Sequence, residues 1–137
     1  MAAGDITYSH VGGMGGESAF ASGTVSADAD TAVNVLCGFV PSRIVLHYKD
    51  TGAVTNDEIY EWVEGMTAAQ YWKTQMSDGI VTLETSGGPV VYGDTTDDTF
   101  TEGSAPDYED SATGHGFTIP AGLQATDEDV IYWQAWR

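Results

Sequence analysis

Between Gly38 and Tyr48 the chain reads Gly-Phe-Val-Pro-Ser-Arg-Ile-Val-Leu-His-Tyr, its longest run with few small or turn-forming residues. β-Branched and aromatic side chains dominate it, and Lys49-Asp50-Thr51-Gly52 supplies a turn at its end. Pro41 lacks an amide donor, so it belongs at the first position of a strand rather than its middle. Apolar residues fall on both faces, with Val45 on one and Ile44, Leu46 and Tyr48 on the other. That pattern predicts a strand over residues 42–48, the central one of a β-domain, covered on two sides. A strand in a single sandwich normally buries one face only. The second face therefore needs further cover, and a neighbouring subunit is expected to supply it, ahead of a loop or the N-terminal arm.

Elsewhere the β reading leads, with one ambiguous stretch at residues 67–76, where Ala68-Ala69-Gln70-Tyr71-Trp72-Lys73 could make two helical turns and a strand over 71–75 is preferred. No window longer than about a dozen residues repeats apolar positions at helical spacing. The 17 glycines, with many Thr, Ser and Asp, favour turns and extended segments. Strands are predicted over residues 18–25, 31–37, 58–64, 71–75, 80–84, 90–92, 116–120 and 130–136. Residues 71–75 and 80–84 are joined by Ser77-Asp78-Gly79 as a hairpin turn. In residues 58–64, Ile59, Glu61 and Val63 oppose Glu58, Tyr60, Trp62 and Glu64. The expected fold is all-β, a β-sandwich or jelly-roll-like barrel of about eight short strands. Residues 1–16 form a glycine-rich arm, expected to be loose in isolation. Residues 17–137 form a single β-domain, interrupted by an acidic loop insertion at 93–114.

The charge balance narrows the partners. Asp and Glu number 21 against 4 Lys and Arg, a net charge of −17. Such a chain repels phosphate backbones and anionic lipid surfaces, so neither nucleic acid nor membrane is an expected partner. No run approaches the ~20 apolar residues of a membrane span, and the first residues lack the pattern of a signal peptide. Synthesis in a cytoplasm follows as the expectation.

The search for chemistry returns little. Cys37 is the single cysteine, lies beside Leu36 in an apolar strand, and reads as a small buried hydrophobe. His10 lies in the arm, His115 sits between glycines and His47 is in the central strand; no Gly-x-Ser-x-Gly elbow occurs. One cysteine and three scattered histidines give no close pair of zinc ligands. Acids cluster at Asp94, Asp97 and Asp98, at Asp107, Glu109 and Asp110, and at Asp127, Glu128 and Asp129, without EF-hand spacing. They read as solvated turns, and no metal or other cofactor is expected. Glu58, Glu61 and Glu64 offer carboxylates for glycoside hydrolysis, and Trp62, Trp72, Trp133 and Trp136 offer sugar-stacking surfaces. Trp133 and Trp136 fall on opposite faces of one strand and cannot share a platform. A non-enzymatic protein is expected.

The order of landmarks is informative as a set. Gly38-Phe39-Val40-Pro41-Ser42-Arg43-Ile44-Val45 is followed by Glu61-Trp62-Val63-Glu64-Gly65-Met66 and Lys73-Thr74. Leu83-Glu84-Thr85-Ser86-Gly87-Gly88, Gly116-Phe117-Thr118-Ile119-Pro120 and an aromatic last strand complete it. From about residue 18 to 137, outside the acidic insertion, this resembles small virion structural proteins of tailed bacteriophages, of the capsid decoration (cement) type. The resemblance implies a β-rich protein that clusters, often as a homotrimer, on the outer capsid surface and stabilises the shell of major capsid protein. The candidate partner-binding side chains are Met14, Phe20, Trp62, Phe100, Tyr108 and Trp136. The rival readings are a tail, connector or fibre component of the virion, and a carbohydrate-binding module using Trp62 or Trp72.

Overall fold

The run after Pro41 forms the middle strand of a seven-stranded antiparallel sheet. The computed structural model describes residues 3–10, 20–52, 56–67, 69–92 and 116–137. Its strands are β1 (Ile6–His10), β2 (Phe20–Ser26), β3 (Val33–Leu36), β4 (Arg43–Lys49) and β5 (Glu58–Val63). They continue as β6 (Tyr71–Gln75), β7 (Val81–Glu84), β8 (Val90–Tyr92), β9 (Gly116–Ile119) and β10 (Val130–Trp136). The large sheet runs β1-β2-β10-β4-β5-β6-β7 and the small one β3-β9-β8, every pairing antiparallel. The fold is all-β and sandwich-like, as the sequence predicted. Among the described residues no helix is long and apolar enough to cross a membrane.

Alternation decides which side chains meet between the sheets. Ile44, Leu46 and Tyr48 of β4 register with Ala135, Trp133 and Ile131 of β10. All six are buried, and they face Val33, Val35, Phe117 and Ile119 of the small sheet in one core cluster. Trp133 stands at the centre, with the Phe117 ring edge-on at 5.8 Å and the Tyr8 ring at 5.7 Å. Room for its indole comes from Gly23 on β2. A Cβ there would overlap the Thr7 carbonyl and lie 2.8 Å from Trp133 Cζ2. At the next strands Tyr60, Trp62 and Tyr71 extend the core, with Tyr60 and Tyr71 packed edge-on at 5.7 Å. The indole N–H groups of Trp62 and Trp133 are buried without an acceptor among the described residues.

Two buried polar side chains pin the connections between sheets. Gln124 accepts from the Asp28 amide at 2.9 Å and donates to the Thr31 and Ile119 carbonyls, both at 3.1 Å. Asp129 accepts from the Tyr48 hydroxyl at 2.5 Å and the Thr51 hydroxyl at 2.6 Å. These bonds stand in for the water lost on burial, and with them the two residues fix loop positions.

Three expectations change. The N-terminal segment is not wholly an arm outside the domain, because Ile6–His10 pairs with β2 as an edge strand. Ile6 and Tyr8 pack on the core, and the Tyr8 hydroxyl accepts from the Leu36 amide at 3.2 Å, tying the two sheets together. Alternation of Ile6 and Tyr8 is enough to pair where β2 offers an open edge. Deleting residues 1–16 would thus remove a packed strand as well as an arm. Second, Val45 is only 6% exposed although it faces away from the core. Its register neighbours Gln134 and Glu61 are in the same sheet, so it is buried inside one chain and needs no neighbouring subunit as cover. Third, Trp62 points inward beside Ile44 at 6% exposure and is a core residue, unavailable to a partner or a sugar. The 93–114 insertion lies outside the described residues.

Candidate docking face

The side of the large sheet that turns away from the small one is a broad, flat surface with a distinct composition. By register it carries Trp136 and Phe20 at one end, Tyr132, His47 and Ile59 in the middle, and Trp72 with Leu83 at the other. Trp72 is 40% exposed, Leu83 41%, Tyr132 47% and Val81 56%. These are large exposures for apolar and aromatic side chains that are neighbours on one surface.

The Trp136 corner is pre-ordered. The Phe20 ring lies 5.4 Å from that of Trp136, and the Arg43 guanidinium sits 4.5 Å over the same indole. Arg43 Nε donates to Glu61 Oε2 at 2.7 Å, which holds the guanidinium in place. Both partners are partly exposed, so the ion pair contributes little stability, about 0–1 kcal/mol, and acts by restricting rotamers. Further along the same strands, His47, Lys49, Ile59, Met76 and Tyr132, with the acids Asp57 and Glu58, line a shallow pit of about 170 Å³.

Charge is segregated. The described strand positions of this face carry two cations, Arg43 and Lys49, against one carboxylate, Glu61. Their net charge is +1, and Asp57 from the loop before β5 reaches Lys49 Nζ at 3.9 Å, so the face is close to neutral in a chain of net −17. Among the described residues most other acids lie in loops.

Those acids are engaged in local structure. A second cavity of about 340 Å³ is lined by Tyr48, Asp50, Asp57, Glu58 and Thr126, among others. Asp50 accepts from the Gly52 amide at 2.7 Å and from Asn56 Nδ2 at 3.0 Å, and Asp57 accepts from the Asp50 amide at 2.9 Å. Glu58 accepts from the Tyr60 hydroxyl at 2.8 Å, and burial first, then this carboxylate, pushes the Tyr60 phenol well above its ordinary range. Tyr48 is pushed up to about 12, by burial and then by its bond to Asp129. Both phenols therefore stay protonated near neutral pH and donate to their carboxylate partners.

The structure separates most of the sequence-level site residues. Phe20 and Trp136 come together on the outer face, whereas Met14, Phe100 and Tyr108 lie outside the described residues. Glu58 and Glu61 point to opposite faces of β5, so they cannot act as a pair on one glycosidic bond. Trp133 is fully buried. Cys37 is buried, donates to the Phe39 carbonyl at 3.2 Å, and is pushed by burial up to about 11. Asp127 does not group with Glu128 and Asp129. It meets Asp28 and Asp30, with carboxylate oxygens within 4.8 Å of one another. Ala29 and Asp30 amides already donate to Asp127 and Asp28. Trp72, Leu83, Val81 and Tyr132 escaped sequence reasoning as one surface. Alternation opposes Trp72 to Tyr71 and Lys73, but it does not say which side the second sheet covers.

Comparison of the chain with family models, with curated proteins and with solved structures returned no match.

Proposed function

We propose that this chain is a non-enzymatic structural protein of a tailed-bacteriophage virion, a decoration subunit that lies on the outer capsid surface and stabilises the shell of major capsid protein. The observation that carries this reading is one sheet face rich in exposed aromatic and apolar side chains, with Glu61 the one carboxylate at its described strand positions, on a chain of net −17. A face of this kind suits docking on a broad protein surface, where aromatic and Arg side chains contribute most of the binding energy. A net charge of −17 keeps crowded particles apart. The resemblance in the order of sequence landmarks supplies the phage context.

The test is addition of the purified chain to assembled shells that lack it. Binding and a higher shell disruption temperature are expected. Trp72→Ala should weaken binding at least tenfold while leaving the chain's own melting temperature within about 2 °C, since the residue is exposed. Shells that gain neither ligand nor stability would refute the decoration role. Labelling on intact particles separates this position from a tail, connector or fibre one.

A further inference from the structure

The large sheet ends at β7, a four-residue edge strand whose outward side chains are apolar. Its sequence, Val81-Thr82-Leu83-Glu84, holds no Lys and no Pro, and no described strand pairs beyond it. Edge strands are normally blunted by such residues because their free N–H and C=O groups template further pairing. Here the apolar side chains accumulate instead. Of the eight large hydrophobics exposed among the described residues, five belong to this hairpin: Trp72, Met76, Ile80, Val81 and Leu83. The hairpin itself is well made. Gly79 supplies a φ of +72° at the turn and donates to the Gln75 carbonyl at 2.8 Å, and Asp78 accepts from the Ile80 amide at 2.9 Å. The exposure therefore belongs to a formed strand.

We propose that β7 pairs antiparallel with β7 of a second copy of this chain, making a two-fold dimer with one continuous sheet. The inference goes beyond the decoration reading, and its test needs no capsid. A second copy fits for two reasons. The register centred on Thr82 is self-complementary: Val81 of one copy opposes Leu83 of the other on the outer face, twice, and Thr82 opposes itself. The charge also balances locally, which matters for a chain of net −17 meeting its own kind. Glu84, the one carboxylate of the strand, is paired within its own chain to Lys73 Nζ at 3.5 Å, which also reaches Glu58 at 3.9 Å, so its charge is partly offset. Centring on Thr82 keeps the two Glu84 residues four positions apart, about 13 Å at ~3.3 Å per residue. That exceeds the screening length of about 8 Å at physiological salt. Centring on Leu83 would halve the separation. The pairing also joins the two outer faces edge to edge into one surface of twice the width.

Sedimentation equilibrium of the full chain at about 0.1 M and about 1 M sodium chloride reads the prediction, since screening length falls from about 10 Å to about 3 Å. A dimer is expected, tightening several-fold at the higher salt as repulsion between the acidic remainders is screened. Contact with a basic partner would weaken instead. Val81→Lys and Leu83→Lys, at exposed positions, should each raise the dimer dissociation constant at least tenfold with an unchanged circular dichroism spectrum. Val40→Lys, exposed but outside the hairpin, should not. Thr82→Cys should form a covalent dimer on mild oxidation while buried Cys37 stays reduced. A monomer or a trimer at both salts, dimerisation indifferent to Val81→Lys, or a Thr82→Cys chain that does not cross-link would each overturn it.

Discussion

Tyr48→Phe removes a single oxygen from the junction of β4 with the loop before β10. That hydroxyl donates to the buried Asp129 carboxylate at 2.5 Å and accepts from the Thr126 amide at 3.1 Å. A hydrogen bond to a charged group is worth about 1.5–3 kcal/mol net, because the buried carboxylate loses a donor that water cannot replace. Asp129 keeps its bond from the Thr51 hydroxyl, which places the expected loss at about 2–3 kcal/mol. With about 2.1 cal/mol/K per residue of unfolding entropy, that is a fall in melting temperature of about 7–10 °C. Guanidinium titration and calorimetry at pH 7 measure it. The alkaline limb gives a second signature with a definite sign. Burial, and then the bond to Asp129, push the Tyr48 phenol from its ordinary 10.0 up to about 12. A raised pKa means that the folded state holds the proton more tightly. The stabilisation is therefore complete below pH 10 and fades as pH climbs toward 12. The advantage of wild type over Tyr48→Phe should shrink across that window. A loss under about 0.5 kcal/mol at pH 7, or a difference that grows above pH 10, would refute this role of the hydroxyl.

Other outcomes follow from packing. Gly23→Ala sets a methyl against Trp133 Cζ2 and the Thr7 carbonyl, and should cost about 3 kcal/mol or more, with amide exchange of Ile6–Tyr8 rising first as β1 lifts away. Cys37, buried and with its pKa pushed up to about 11, should resist a thiol reagent at pH 8 in the native protein and react at once in concentrated guanidinium. Fast native labelling would mean that the small sheet opens on its own.

What the sequence made legible was local. The two-sided apolar run after Pro41 became the middle strand of the large sheet, and Ser77-Asp78-Gly79 became the turn joining β6 to β7. Alternation in β5 correctly set Tyr60 and Trp62 against Ile59, Glu61 and Val63. Which of those faces is inside depends on the small sheet, whose strands come from three distant parts of the chain, so Trp62 was open to being read as a binding residue. The Phe20–Trp136 contact and the approach of Asp127 to Asp28 are likewise products of pairing between remote segments. β1 carried its own signal in Ile6 and Tyr8, but the glycines that follow dilute any window wide enough to detect it.

The placement of β10 between β2 and β4 has a consequence for biogenesis. All three are inner strands of the large sheet, yet β10 is synthesised about eighty residues after β4. Until it leaves the ribosome, β2 and β4 each present a bare inner edge, and the Leu46 side of β4 has no Trp133 against it. The chain must therefore hold two incomplete half-sheets apart while it waits. A nascent polypeptide stalled before Val130 would be a pair of sticky fragments rather than a smaller stable protein. Repulsion within a chain of net −17 is well suited to keeping such fragments from their neighbours until the last strand arrives.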